Sequence, residues 1–231
     1  MDMEKAHCTV TNKRTSSGLT SHKQMVAPKR YQLPRWHMLL AASDLIPYII
    51  NRKGSRNRYI IGIDGPGASG KSCLADQILA QMSDIQIVHF DDFYLGNDAA
   101  DTKLTLGSRF DWARLEQQVL LPLSNNQKAY YQVYDWQLQK LGKWKTVMPN
   151  GIVIVEGVYS TRSELRHYYD LTVFVTANYE TRLQRGIDRD GISSRDKWMK
   201  EWMPEETRYI ESEHDPRGYA EVEIDGEKIA T

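Results

Sequence analysis

The chain has 231 residues, 41% of them hydrophobic and 26% charged, with 30 basic side chains balanced by 30 acidic ones. That length suits one compact domain, the neutral balance offers no basic surface of the kind nucleic acid demands, and no apolar run reaches the roughly 18 residues of a membrane span. Two cysteines, Cys8 and Cys73, make no disulfide framework and favour a reducing, cytoplasmic setting.

Residues 1–34 are polar, rich in Lys, Arg, Ser and Thr, and without period, so they read as a loose tail or leader outside the fold. They lack the apolar stretch and small-residue cleavage site of a secretory signal. A single domain is expected over 35–231. It opens with a helix over Arg35–Ile46 that breaks near Pro47. Next, Tyr59–Ile63 reads as a buried strand running into Gly65-Pro66-Gly67-Ala68-Ser69-Gly70-Lys71-Ser72, and a helix follows from Cys73 to Ala80.

The spacing of Gly65 from Gly70-Lys71-Ser72 is the P-loop pattern. Its glycines let backbone N–H groups close on phosphate oxygens, and the N-terminus of the following helix, from Lys71 through Cys73, adds its free N–H groups. Lys71 is placed to reach the β- and γ-phosphates, and the Ser72 hydroxyl to hold Mg²⁺. A nucleoside triphosphate is the expected ligand.

A second apolar run, Ile85–Phe90, ends in Asp91-Asp92-Phe93-Tyr94. Strand, helix and strand in about thirty residues form a βαβ unit, so the sheet is parallel and ligands sit beyond its carboxyl edge. Leu95–Ser108 reads as a polar loop. Phe110–Leu120 reads as a helix capped by Asp111 and closed by Pro122. Tyr130–Trp136 alternates and pairs with Lys143–Val147 around Leu141-Gly142, an aromatic hairpin at about 130–147. Ile152–Val155 is a buried strand running into Glu156-Gly157, Ser163–Tyr168 a short helix, and Leu171–Val175 another buried strand. A lid is expected over about 179–195, where Tyr179–Asp190 is helical and arginine-rich. A further helix spans Arg195–Glu213 with an interruption near Pro204. The chain closes with an edge strand over Ala220–Gly226.

Two separate strands therefore end in acids, at Asp91/Asp92 and at Glu156. One carboxylate can take a proton from an alcohol while the other holds Mg²⁺ through water. No Asn-Lys-x-Asp run, the base-reading element of GTPases, is present.

Taken in order, Gly65–Ser72, His89–Tyr94, Phe110-Asp111-Trp112 and Val155-Glu156-Gly157 resemble the uridine kinase and phosphoribulokinase-like family of P-loop kinases, over about Arg58–Gly226. The resemblance implies a three-layer α/β/α sandwich of the P-loop NTPase class, and phosphoryl transfer from ATP, with Mg²⁺, to a hydroxyl of a nucleoside-like small molecule. Asp91 matches the family's catalytic base, and Glu156 its Mg²⁺-associated glutamate. Asp92 stands where many members have serine. Tyr94, Asp111 and Tyr134 fall where the family contacts sugar and base, although Asp111 is equally well explained as a helix cap and Tyr134 as hairpin packing. Arg182, Arg185 and Arg189 resemble the arginine lid that closes over ATP phosphates, and a solvated, ion-paired helix face explains the same spacing.

The chain departs from that pattern in two places. Tyr134-Asp135-Trp136-Gln137-Leu138-Gln139 contains no base-reading histidine, and Gly186 stands where a further lid arginine is expected. A nicotinamide riboside kinase, which shares the Asp-Asp-Phe-aromatic element, and a non-catalytic nucleotide-binding module both stay open. The oligomeric state is not set, and a homo-oligomer is allowed.

Overall fold

The computed structural model describes residues 37–96 and 106–229. The expected tail over 1–34 and most of the Leu95–Ser108 loop lie outside the described residues. Six strands form one parallel sheet: β1 (Met38–Leu40), β2 (Arg58–Asp64), β3 (Ile85–His89), β6 (Gly151–Glu156), β7 (Leu171–Thr176) and β8 (Val222–Asp225), in the order β1-β8-β7-β2-β6-β3. β4 (Ala129–Asp135) and β5 (Lys140–Val147) make a separate antiparallel hairpin.

The central strands are apolar throughout because helices cover both faces. Along β2, Tyr59, Ile61 and Ile63 join one core with Leu45 and Ile49 of α1 (Ala42–Lys53) and Leu74, Ala75 and Ile78 of α2 (Lys71–Gln81). Ile60 points the other way, with Val153 and Val155, into a core shared with Leu115, Val119 and Tyr209. This second layer is built from α3 (Trp112–Leu115), a π turn (Glu116–Leu120), α4 (Leu121–Ser124) and the helix Met203–Ile210 that carries Tyr209. The fold is a three-layer α/β/α sandwich of the P-loop NTPase class, as the motifs imply. No helix among the described residues is long and apolar enough to cross a membrane.

The structure corrects the sequence reading at several places. The expected helix over Arg35–Ile46 begins only at Ala42, because Met38–Leu40 is a strand paired in parallel with Val222–Ile224. β8 is therefore internal, and β1 and β3 are the sheet edges. Pro47 does not break α1, which continues to Lys53. Pro47 and Ser43, whose carbonyl loses its partner, both face solvent, and water can take the missing bond.

Pro122 likewise sits inside α4 rather than closing the helix, directly after the π turn Glu116–Leu120. Pro204 repeats the device: α6 (Arg195–Lys197) widens into a π turn (Trp198–Trp202) before α7 (Met203–Ile210). In both, the widened turn absorbs the bond that proline cannot donate. The hairpin turn is Trp136–Gln139 rather than Leu141-Gly142, since the Asp135 carboxylate accepts from Gln137 and Leu138 N–H at 3.0 and 2.9 Å. The short helix expected over Ser163–Tyr168 is a 3-10 turn, Arg166–Tyr168.

Candidate active site

β2 delivers the chain to the phosphate loop through Asp64, a buried strand-end acid. Its two oxygens accept from the N–H groups of Gly65 (2.7 Å), Tyr159 (3.2 Å) and Thr161 (2.8 Å), and from the hydroxyls of Thr161 (3.0 Å) and Tyr209 (2.8 Å). Burial pushes this carboxyl up, and the hydrogen bonds from the Thr161 N–H, Tyr209 and Gly65 and the Lys71 charge work against that push. One side chain thus fixes the start of the loop, the 159–161 turn and α7. Gly65 must be glycine: its φ is +144°, and a Cβ would lie 2.2 Å from the Val175 carbonyl oxygen.

The loop ends at Gly70, the residue before α2, so that Lys71, Ser72 and Cys73 form the first helical turn. Lys71 Nζ donates to the Pro66 carbonyl at 2.9 Å, curling over the loop. The Ser72 hydroxyl lies 3.3 Å from both Glu156 oxygens. Sheet register places Ile63 opposite Glu156 and Glu156 opposite His89, which gathers the three strand ends. His89 Nδ1 lies 2.7 Å from Glu156 Oε1. Burial pushes the Glu156 carboxyl up, but the His89 hydrogen bond and the Lys71 charge outweigh it and hold the group below its ordinary value. The same hydrogen bond raises the His89 imidazole.

Beyond β3 the chain turns through a 3-10 turn, Phe90–Phe93, and presents Asp91 to a cleft of about 730 Å³. Lys71, Ser72, Cys73, Glu156, Tyr94 and Arg189 line the same cleft. Asp91 is exposed toward the cleft, yet desolvation by the protein packed around it, and then the Glu156 charge, push its carboxyl above its ordinary value. Gly67, Ala68 and Gly70 form the cleft floor.

The three arginines of α5 (Tyr179–Asp190) have different surroundings. Arg182 is buried, donating to the Gly67 carbonyl at 3.0 Å and to Glu206 at 2.5 Å. It braces the phosphate loop from behind and does not line the cleft. Arg185 lines the cleft, both its terminal nitrogens 3.2 Å from the Gly226 carbonyl. Arg189 lines it too, paired with Asp190 at 2.8 Å and over the Trp198 ring at 5.6 Å. Trp198 occupies the space beside Gly186, where a Cβ would lie 2.4 Å from its ring.

Tyr94, Phe110 and Trp136 line the same cleft as an aromatic wall. Trp136 stacks on Tyr94 (4.7 Å, 29°), and Tyr134 meets both rings edge-on at 5.1 Å. Of the four residues expected at the acceptor, only Tyr94 lines the cleft. Tyr134 backs the wall from a buried position. Asp92 pins the hairpin, accepting from Tyr131 Oη (3.1 Å) and Lys145 Nζ (3.0 Å). Asp111 caps α3 through the Arg114 N–H at 2.9 Å and lines a smaller neighbouring pocket with Trp112 and Arg162.

The sequence reading gave no role to Asp64, His89, Trp136, Trp198 or Glu206. Two signals were available. Asp64 is a strand-end acid directly before the first loop glycine, and His89 ends the strand beside Glu156. No group of three or more His, Cys, Asp or Glu that could hold a metal occurs among the described residues.

The profile of the Phosphoribulokinase / Uridine kinase family matches residues 60–204, more than half of the chain, and the chain belongs to that family. Uridine kinase of Limosilactobacillus reuteri (strain DSM 20016) is 32% identical over 152 residues, covering 60% of this chain and 67% of that protein. A chloroplastic uridine/cytidine kinase of Arabidopsis thaliana is 26% identical over 162 residues, which are 66% of this chain and 33% of its own length. Uridine-cytidine kinase B of Dictyostelium discoideum is 27% identical over 150 residues, 61% of each chain. The chain thus spans about one third to three fifths of those two eukaryotic relatives. The solved structure of a possible uridine kinase from Bacillus stearothermophilus aligns with a TM-score of 0.62 and 22% identity, over 80% of this chain and 97% of that one. At that identity the likeness is one of fold.

Proposed function

We propose that the protein transfers the γ-phosphoryl group of ATP to a hydroxyl of a small alcohol, which the uridine kinase relatives suggest is nucleoside-like. The observation that carries this reading is that Asp91 faces the same cleft as Lys71 and Ser72, with the Glu156 carboxylate between their strand ends. That shared cleft supports a reading in which a proton acceptor and a phosphate cradle serve one in-line transfer.

The roles follow from the geometry. Backbone N–H groups of Gly65–Cys73 and the Lys71 ammonium bind the triphosphate. Ser72 and Glu156 fit Mg²⁺, since a hydroxyl and an ionised carboxylate 3.3 Å apart offer the hard oxygens it prefers; Asp91 is a further oxygen at the same edge. Held by Ser72 and Glu156, Mg²⁺ would supply charge neutralisation for the phosphates. Asp91 takes the acceptor proton, and its raised pKa makes it a better base than an ordinary carboxylate. Arg185 and Arg189 line the same cleft, and their planar forks suit the oxygens of the transferred phosphoryl group. Arg182 contributes by holding the Gly67 carbonyl.

The test is ADP release by purified protein with Mg-ATP and a panel containing uridine, cytidine, nicotinamide riboside and simple alcohols, with products read by mass spectrometry. The reading expects release only where a phosphorylated product forms. One observation favours a second reading, a non-catalytic nucleotide-binding module: Arg182, the first lid arginine, is tied to the protein itself. That reading expects ATP binding with no acceptor-stimulated release.

A further inference from the structure

The kinase reading leaves one cation of the cleft without a task. Among the cleft cations, Lys71 is held by the Pro66 carbonyl, Arg185 by Gly226, Arg189 by Asp190, and Lys197 lies 5.0 Å over the Trp202 ring. Arg109 also lines the cleft and is half-buried, yet no carboxylate, carbonyl or ring holds its guanidinium among the described residues. Among the described residues, the carboxylates near it in the chain or bonded to its turn are engaged elsewhere. Glu205 accepts from the Gly107 N–H at 3.3 Å and bonds Tyr159, and Asp111 caps α3.

The backbone fixes where Arg109 stands. Its carbonyl accepts from the Leu95 N–H at 2.9 Å, and the adjoining Phe110 bridges to Tyr94. It therefore adjoins the Tyr94–Phe110 part of the lining of the cleft that Asp91 also lines. A partly desolvated guanidinium offers five donors in a plane and needs acceptors. Its fork matches a carboxylate or phosphate, and flanking rings that exclude water strengthen that contact.

We propose that Arg109 is the anion-binding residue of the acceptor site, and that the acceptor alcohol carries a carboxylate or phosphate group besides the hydroxyl that is phosphorylated. This rests on the kinase reading above and narrows it. A neutral nucleoside such as uridine leaves Arg109 without its ligand.

The test uses matched alcohols, glycerol against glycerate and glycerol 3-phosphate, ribose against ribose 5-phosphate, with uridine as the neutral nucleoside. ADP release gives kcat/KM for the full chain and for Arg109→Ala and Arg109→Lys. An acidic alcohol should exceed every neutral one by about tenfold or more, and Arg109→Ala should lose about ten- to a hundredfold on it. Arg109→Lys should restore part of the loss, with the KM for ATP unchanged throughout. Carboxylate and phosphate members of the set tell the two anion types apart. Turnover of uridine at least equal to that of every acidic alcohol would leave the kinase reading standing and overturn this one, as would equal losses on neutral and acidic alcohols in Arg109→Ala.

A second measurement needs no chemistry. Calorimetric titration of the Mg-ADP-saturated protein with glycerate and with glycerol 3-phosphate should show binding of at least one, weakened about tenfold or more by Arg109→Ala. Binding of neither, or binding indifferent to Arg109, would overturn the anion site. Arg109-dependent binding without ADP release from any alcohol would overturn the kinase reading alone.

Discussion

The two ends of the cleft are built from different materials. At the phosphate end, backbone groups and buried, multiply bonded side chains do the positioning: Asp64 takes five hydrogen bonds, Glu156 is held by His89 and Ser72, and Arg182 anchors the Gly67 carbonyl. At the acceptor end, rings on a hairpin turn and a loop do it: Tyr94 and Tyr134 are buried, Phe110 is half-buried, and Trp136 is 57% exposed. The first end is cross-bonded through buried groups and, on the kinase reading proposed above, would serve any triphosphate. The second is free to vary with the acceptor while the chemistry stays in place.

The comparison predicts effects of different size and kind. Lys71→Ala should lower turnover by about a thousandfold, because a positioned charge on the phosphates acts where charge redistributes. Steady-state ADP release checks it, and a loss below about tenfold would mean the phosphate end is not where chemistry is assisted. Gly186→Ala should cost about 1–3 kcal/mol of stability, since the added methyl would lie 2.4 Å from the Trp198 ring. Chemical denaturation reads this directly, and an unchanged midpoint would show that the Trp198 seat gives way. Trp136→Ala should raise the acceptor KM roughly three- to tenfold, the worth of one ring contact, and leave the KM for ATP alone. Equal changes in both KM values would erase the distinction between the ends.

The same contrast explains what could be read from the sequence. The P-loop was legible because its function lies in backbone conformation, which Gly65 and Gly70 record as residue types at a spacing. The strand-end acids were legible because a parallel sheet sends all its strand ends to one edge. Asp92, Asp111 and Tyr134 were harder, because a residue's type says little about which way its side chain turns. Asp92 points to Lys145 and Tyr131, and Asp111 to its own helix. Trp136 escaped notice because the hairpin turn lies several residues earlier than the Leu141-Gly142 pair suggested, which moves that ring from a strand to the cleft rim. The π turns before Pro122 and Pro204 were illegible too, since proline is read as a stop unless a wider turn is known to precede it.

The central claim is that Asp91 accepts the acceptor's proton across the cleft from a nucleotide held by Lys71 and Ser72. The most direct measurement is the pH profile of kcat/KM for Asp91→Asn beside the unaltered protein, with ATP affinity measured in parallel. A base must be unprotonated to act, and Asp91 is pushed up by desolvation and Glu156, so activity should fall with acid at a higher pH than an ordinary carboxylate would give. In Asp91→Asn that acid limb should vanish, with turnover down about a hundred- to ten-thousandfold and ATP binding largely intact. Normal turnover in the variant, with the acid limb unchanged, would contradict the account.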